Sequence, residues 1–117
     1  MNARAELGRA GEDLAVDLYR RKGFTVLERN YRCSLGEIDL VVRRGGLLVF
    51  CEVKARRTDF FGSPAEAVGW SKQTRLRRLA ARWMSERRPG RVEVRFDVVA
   101  VVFGESGTDV QHFSGAF

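Results

Sequence analysis

Gly36-Glu37-Ile38-Asp39-Leu40-Val41-Val42-Arg43-Arg44-Gly45-Gly46-Leu47-Leu48-Val49-Phe50-Cys51-Glu52-Val53-Lys54-Ala55 is the stretch whose reading decides the fold. Two apolar, β-branched runs flank Gly45-Gly46, and a Gly-Gly pair between such runs makes a tight hairpin turn because its central residues need positive φ. With the glycines at the tip, Arg44 opposes Leu47 and, counting outward, Asp39 opposes Glu52 and Glu37 opposes Lys54. Alternation sends Ile38, Leu40, Val42, Val49, Cys51 and Val53 to one face, which is core. The other face carries Val41, Leu48 and Phe50 near the turn, then Glu37, Asp39, Glu52 and Lys54 at the far strand end. Directly opposed carboxylates lie about 4.5 to 5.5 Å apart at Cβ and repel, so a sheet avoids the pair unless positive charge sits between them. A divalent cation is the candidate. A surface hairpin with ordinary cross-strand ion pairs accounts for the same spacing without a site.

Outward from the hairpin the pattern is helical, then strand-like, on each side. Ala3 to Arg21 places Leu7, Gly11, Leu14, Ala15 and Leu18 on one helical stripe, and Gly23 ends it. Phe24 to Tyr31 alternates loosely and reads as a first strand. Asp59 to Gly62 reads as a loop, and Ser63-Pro64-Ala65-Glu66 has capping-box spacing with proline at the first helical position, so a second helix starts there or at Ser71. Leu76, Leu79, Ala80, Trp83 and Met84 repeat at helical spacing until Pro89-Gly90. Val92 to Phe103 is too β-branched for a helix and reads as a strand; Val110 to Phe113 forms a short last one. The expected class is α/β: helix, three strands in a meander, helix, one or two strands, giving a mixed sheet with helices packed on it in a single domain over residues 1–117.

Composition excludes several classes. A chain of 117 residues buries a core without disulfides, and Cys33 and Cys51 read as reduced, packed cysteines. His112 is the only histidine and no paired-cysteine spacing exists, which argues against zinc. No apolar run is long enough to span a bilayer, so the expectation is a cytoplasmic protein with no membrane partner. The net charge of +6 is concentrated: between Lys72 and Arg95 nine basic residues face only Glu86 and Glu93. Such localised charge suits nucleic acid, whose phosphates supply most non-specific affinity; a solvated helix face is the plainer alternative.

Gly11-Glu12, Arg29-Asn30-Tyr31-Arg32, Gly36-Glu37-Ile38-Asp39-Leu40, Phe50-Cys51-Glu52-Val53-Lys54 with Arg56, and Gly62-Ser63-Pro64 through Lys72 together resemble the YraN-type family of small bacterial proteins. That family is similar in turn to archaeal Holliday-junction resolvases, in the PD-(D/E)xK nuclease superfamily of restriction-endonuclease-like fold. The resemblance runs from the first helix to about Met84, and the Gly-Glu-Ile-Asp-Leu and Glu-Val-Lys blocks are specific as a pair. Cys51 stands where valine is expected before the glutamate, a small buried change.

The resemblance implies Asp39 and Glu52 as metal ligands, Lys54 as the catalytic lysine and Glu12 as an auxiliary acid. Carboxylate chemistry agrees, since Mg²⁺ or Mn²⁺ takes one or two protein carboxylates beside water and phosphate oxygens. The Val53 carbonyl is a further candidate ligand, and Lys54 sits where it can orient water or stabilise growing phosphate charge. From sequence Glu12 is equally an ordinary solvated acid; it lies one turn after Gly8, where a missing side chain would admit another element. Glu37 and Asp97 stay outside the catalytic set, Asp97 being as well explained by a backbone or arginine partner.

Helical spacing groups Lys72, Arg75, Arg78 and Arg82 as a phosphate clamp, with Arg56 and Arg57 nearer the site. Trp83 reads as core, while Trp70 and Phe60-Phe61 either stack on unpaired bases or pack, with packing favoured. The leading expectation is a metal-dependent endonuclease acting on structured or branched DNA, with a homodimer by analogy because two symmetric cuts need two sites. The alternatives are a non-catalytic nucleic-acid-binding module that retains the nuclease fold, and a purely structural interaction domain.

Overall fold

The hairpin forms in the register that its glycines dictate. In the computed structural model, which describes residues 2–57 and 69–117, β2 (Gly36–Arg44) and β3 (Leu47–Arg57) pair antiparallel from Arg44 opposite Leu47 to Leu40 opposite Cys51. Gly45 takes φ 58, the left-handed value that the tight turn requires. The proposed loop at Asp59 to Gly62, the capping box at Ser63 and the aromatic pair Phe60-Phe61 lie outside the described residues.

Helix α1 (Ala3–Arg21) is capped by Asn2, whose side chain accepts the Ala5 N–H, and ends before Gly23 at φ 86. β1 (Thr25–Cys33) runs antiparallel to β2. Helix α2 (Trp70–Arg87) follows β3 and stops at Arg88, whose left-handed backbone breaks the run ahead of Pro89. β4 (Glu93–Gly104) returns parallel to β3, and β5 (Gly107–Phe113) closes the edge antiparallel to β4. Among the described residues the sheet is five-stranded and mixed in the order β1-β2-β3-β4-β5, matching the expected succession of elements.

Each helix covers one face, so both faces of the hairpin are core rather than one. On the α1 side Ala15, Val16 and Tyr19 pack on Leu40, Val42, Val49 and Cys51. On the α2 side Leu76, Leu79, Ala80 and Trp83 pack on Val41, Leu48 and Phe50. Ile38 joins that second cluster instead of the face shared by Leu40 and Val42. The cause is local. Asn30 has φ 54, a conformation that asparagine tolerates better than most residues, and the regular pairing of β1 with β2 passes from Arg29–Leu40 to Tyr31–Ile38 around it. The pleat therefore slips by one side chain opposite Asp39, and the alternation assumed for an unbroken strand fails there.

α1 approaches β3 most closely at Gly11, where an added Cβ would lie 2.9 Å from the Ala55 Cβ. The close approach is thus at Gly11 and not at Gly8, around which a Cβ would meet nothing within 4 Å. Cys33 and Cys51 are free thiols, Cys51 fully buried. Among the described residues no helix is long and apolar enough to cross a membrane.

Candidate active site

Beyond Leu40 and Cys51 the two hairpin strands separate, and the site is built in that divergence. β3 continues straight because β4 holds it on its other edge, from Glu52 opposite Val98 to Arg57 opposite Phe103. On the β2 side Asp39 replaces the ladder with its side chain, accepting the Val53 N–H at 2.8 Å. The expected direct opposition of Asp39 and Glu52 is therefore one step past the last regular pair, and the expected pairing of Glu37 with Lys54 does not form. Glu37 instead bonds Arg32 Nε at 3.2 Å across β1.

Four carboxylates from three elements gather here. Oxygens of Glu12 from α1 and of Glu37 and Asp39 from β2 lie within 4.8 Å of one another. Glu52, 9 % exposed, lines the same ≈ 230 Å³ cavity as Glu37 and Asp39, with Lys72, Arg75 and Leu79 of α2 forming its other wall. A second hollow opens on the α1 side between Gly8, Glu12, Asn30 and Glu37, so Glu37 faces both. Burial, reinforced by the negative charges of Glu52, Glu12 and Glu37, pushes the Asp39 carboxyl up to about 7 against the pull of the Val53 N–H. Carboxylate oxygens held this close form a hard-oxygen set of the kind that suits a divalent cation, although Glu12, Glu37 and Glu52 each also face a basic side chain.

Glu52 is neutralised from two directions. Lys54 Nζ is 3.4 Å and Lys72 Nζ 2.6 Å from its Oε1. The two ammonium groups share one carboxylate and respond oppositely. Burial and the adjacent Lys72 push Lys54 below the ordinary lysine value, whereas for Lys72 the attraction of Glu52 outweighs burial and raises it. Glu12 is held by the Asn30 amide at 3.0 Å, with Arg29 at 3.7 Å.

The sequence-predicted residues divide accordingly. Asp39, Glu52, Lys54 and Glu12 converge, and the Val53 N–H belongs to Asp39. Lys72 belongs to the site, on Glu52, and not to an outward clamp. Arg75 is exposed and lines the cavity, Arg78 is exposed on α2 but does not line it, and Arg82 reaches Ser34 Oγ at 3.3 Å and Glu86 at 3.7 Å. Arg56 turns one N–H to the Ala55 carbonyl, and Arg57 is exposed at the end of β3. Trp83 is core, but Trp70, expected to pack, is 82 % exposed. Asp97 is structural: fully buried, it accepts from Arg95, His112, Tyr19 and the Gly115 N–H. Burial pushes its carboxyl up, yet these donors together hold it below the usual carboxylate value.

Sequence reasoning leaves Glu37 outside the catalytic set and assigns no role to Asn30, yet Glu37 lies with Glu12 and Asp39 and Asn30 holds Glu12. The available signal was the asparagine inside a strand-like run, a residue that tolerates the left-handed conformation and breaks alternation.

The model of the Uncharacterised protein family UPF0102 matches residues 11–101, a span that contains every residue of the cluster. A UPF0102 protein of Dictyoglomus thermophilum is 42% identical over 96% of this chain and 97% of its own length. Another from Frankia casuarinae is 49% identical over 100% of both chains, and one from Streptomyces griseus is 50% identical over 98% of both.

Proposed function

We propose, for a chain that belongs to the Uncharacterised protein family UPF0102, that it is a divalent-cation-dependent endonuclease hydrolysing phosphodiester bonds in structured or branched DNA. The observation that carries the reading is the convergence of Glu12, Asp39, Glu52 and Lys54, from three separate elements, at the point where β2 leaves β3. The donor set is all carboxylate oxygen, which fits Mg²⁺ or Mn²⁺ and not zinc. Asp39 and Glu52 would hold the ion, with Glu12, Glu37 and the Val53 carbonyl able to add oxygens. When bound it would supply Lewis-acid polarisation of the scissile phosphate and a lower pKa for water.

The remaining work falls to the chain's own groups. Lys54, fixed beside Glu52, is a compact cation positioned to stabilise charge on the phosphate oxygens. Asn30 orients Glu12 and the Val53 N–H orients Asp39, so neither acid needs to reorganise when substrate arrives. Arg75 and Arg78 face solvent along α2, where phosphate contacts set register without reading sequence. A homodimer would supply two sites for paired cuts. A monomer by light scattering at working concentration removes that element of the proposal.

The first test is cleavage of labelled single-stranded, duplex, flap and four-way-junction DNA with Mg²⁺ or Mn²⁺. Glu52→Ala and Lys54→Ala are each expected to lower the rate at least ~100-fold, the scale of losing one transition-state charge contact. Uncut substrates throughout, with salt-sensitive binding intact, would replace the enzyme by a nucleic-acid-binding module.

One contact favours that second reading. Lys72 occupies Glu52 at 2.6 Å, the position of a cation competing for the carboxylate. If the site serves catalysis, Lys72→Met tightens Mn²⁺ binding by about tenfold, because one competing charge is removed. An unchanged Mn²⁺ affinity by calorimetry favours the binding module.

A further inference from the structure

We propose that the hollow at the C-terminal end of α1 is a separate binding site for a phosphate group. It encloses ≈ 250 Å³ and is lined by Lys22, Phe24, Arg44, Arg95, His112 and Ser114. Three of these side chains are cationic and none is acidic. It lies at the hairpin-turn end of the sheet, where Arg44 closes β2, away from the divergence that holds Asp39.

The cations are held in place by the fold. Arg44 lies over the Phe24 ring at 4.5 Å and gives one N–H to the Lys22 carbonyl at 2.9 Å, which leaves other guanidinium N–H groups for a ligand. Lys22 Nζ is 2.8 Å from His112 Nδ1. An ammonium only donates, so Nδ1 accepts and the ring hydrogen sits on Nε2, 2.7 Å from Asp97. Asp97 thus orients His112, and His112 orients Lys22, with two ammonium hydrogens left over. Arg95 spends Nε and Nη2 on Asp97 at 2.9 and 3.0 Å, so that carboxylate is compensated within the protein and the charges of Lys22 and Arg44 are not cancelled by it. Fixed guanidinium, ammonium and hydroxyl donors around one hollow match a tetrahedral oxyanion, for which charge-assisted bonds are the strong ones.

Backbone phosphate of a polynucleotide and a free or small-molecule phosphate present the same oxygens. Lys22, the C-cap of α1, follows Glu12 by ten positions, about 15 Å of helix. A duplex strand spaces its phosphates about 3.4 Å along the axis, so a backbone engaged at the acid cluster can reach the hollow within a few nucleotides. The site itself stands on residues outside that cluster and holds whether or not the cluster cleaves.

The test is a titration of the ¹⁵N-labelled protein with inorganic phosphate, with chloride at matched ionic strength as control. Saturable shifts are expected at Lys22, Arg95, His112 and Ser114, with affinity reduced by at least about tenfold in Lys22→Ala/Arg44→Ala. Arg44→Ala alone and thermal melts guard against a folding defect. Short duplex DNA is then bound to Glu52→Ala protein, with and without the double substitution. A log–log salt slope smaller by about 1 to 2 in the double variant assigns the hollow to backbone phosphate. An unchanged slope, with saturable inorganic phosphate binding in the wild type that the double substitution weakens, assigns it to small phosphates. Shifts that do not saturate, or a well-folded double variant that binds phosphate like the wild type, overturn the proposal.

Discussion

The Asp39 carboxylate accepts the Val53 N–H while facing the charges of Glu52, Glu12 and Glu37 in a largely buried position. Its carboxyl rises from 3.8 to about 7, so the folded chain holds that proton more tightly than the unfolded one. The associated stability is full below about pH 3.8 and is lost as pH rises through about 7. Asp39→Asn keeps an acceptor for Val53 and removes the charge. It is expected to be more stable than wild type by ~1–2 kcal/mol at pH 8, a rise of several degrees in Tm. Near pH 4 the difference vanishes. Mn²⁺ should raise the wild-type Tm and leave the variant nearly unmoved. Melts showing the same offset at both pH values would contradict the argument. The identities of Asp39, Glu52 and Lys54 were legible from the hairpin, and Glu12 from the resemblance. Lys72 was misplaced because helical spacing shows which residues share a face, while its contact with Glu52 depends on where α2 crosses the sheet.

At the scale of elements, α1 is set against β3 by the missing side chain of Gly11. Gly11→Ala would bring Cβ to 2.9 Å from the Ala55 Cβ, two atoms fixed to backbone. The expected cost is ~1–3 kcal/mol, larger than the gain in helix propensity. Gly8→Ala, on the same helix with nothing within 4 Å, is expected to stabilise by ~0.5–1 kcal/mol. Opposite signs in urea melts check the pair, and equal signs would mean that α1 sits differently. The hairpin turn and the bounds of α1 were readable because a Gly-Gly tip and a helical stripe are local signals. The parting of β2 from β3 was not, because a period-two reading assumes an unbroken pleat, which Asn30 interrupts from the neighbouring strand.

Across the whole molecule, Asp97 ties α1 to the far sheet edge: Tyr19 comes from α1, Arg95 from β4, His112 from β5 and Gly115 from the chain beyond it. Asp97→Ala leaves the Arg95 guanidinium and three further donors, from Tyr19, His112 and Gly115, without their acceptor, at an expected cost of about 3–5 kcal/mol by thermal or denaturant unfolding. The pH signature is opposite to that of Asp39. With the Asp97 carboxyl held below its ordinary 3.8, its stabilisation is present above that value and disappears as pH falls through the lowered one, so loss of Asp97 is expected to flatten acid unfolding. The amino-acid sequence by itself determined the order of elements, the hairpin register near its turn and the residue types of the site, because turn chemistry, periodicity and charge act between near neighbours. Only the tertiary structure decided that both hairpin faces are buried, that Glu37 joins Glu12 and Asp39, that Lys72 sits on Glu52, and that Asp97 orients His112 rather than serving the acid cluster. Those contacts join residues far apart in the chain, and they depend on how helices seat on a sheet, which no local pattern encodes.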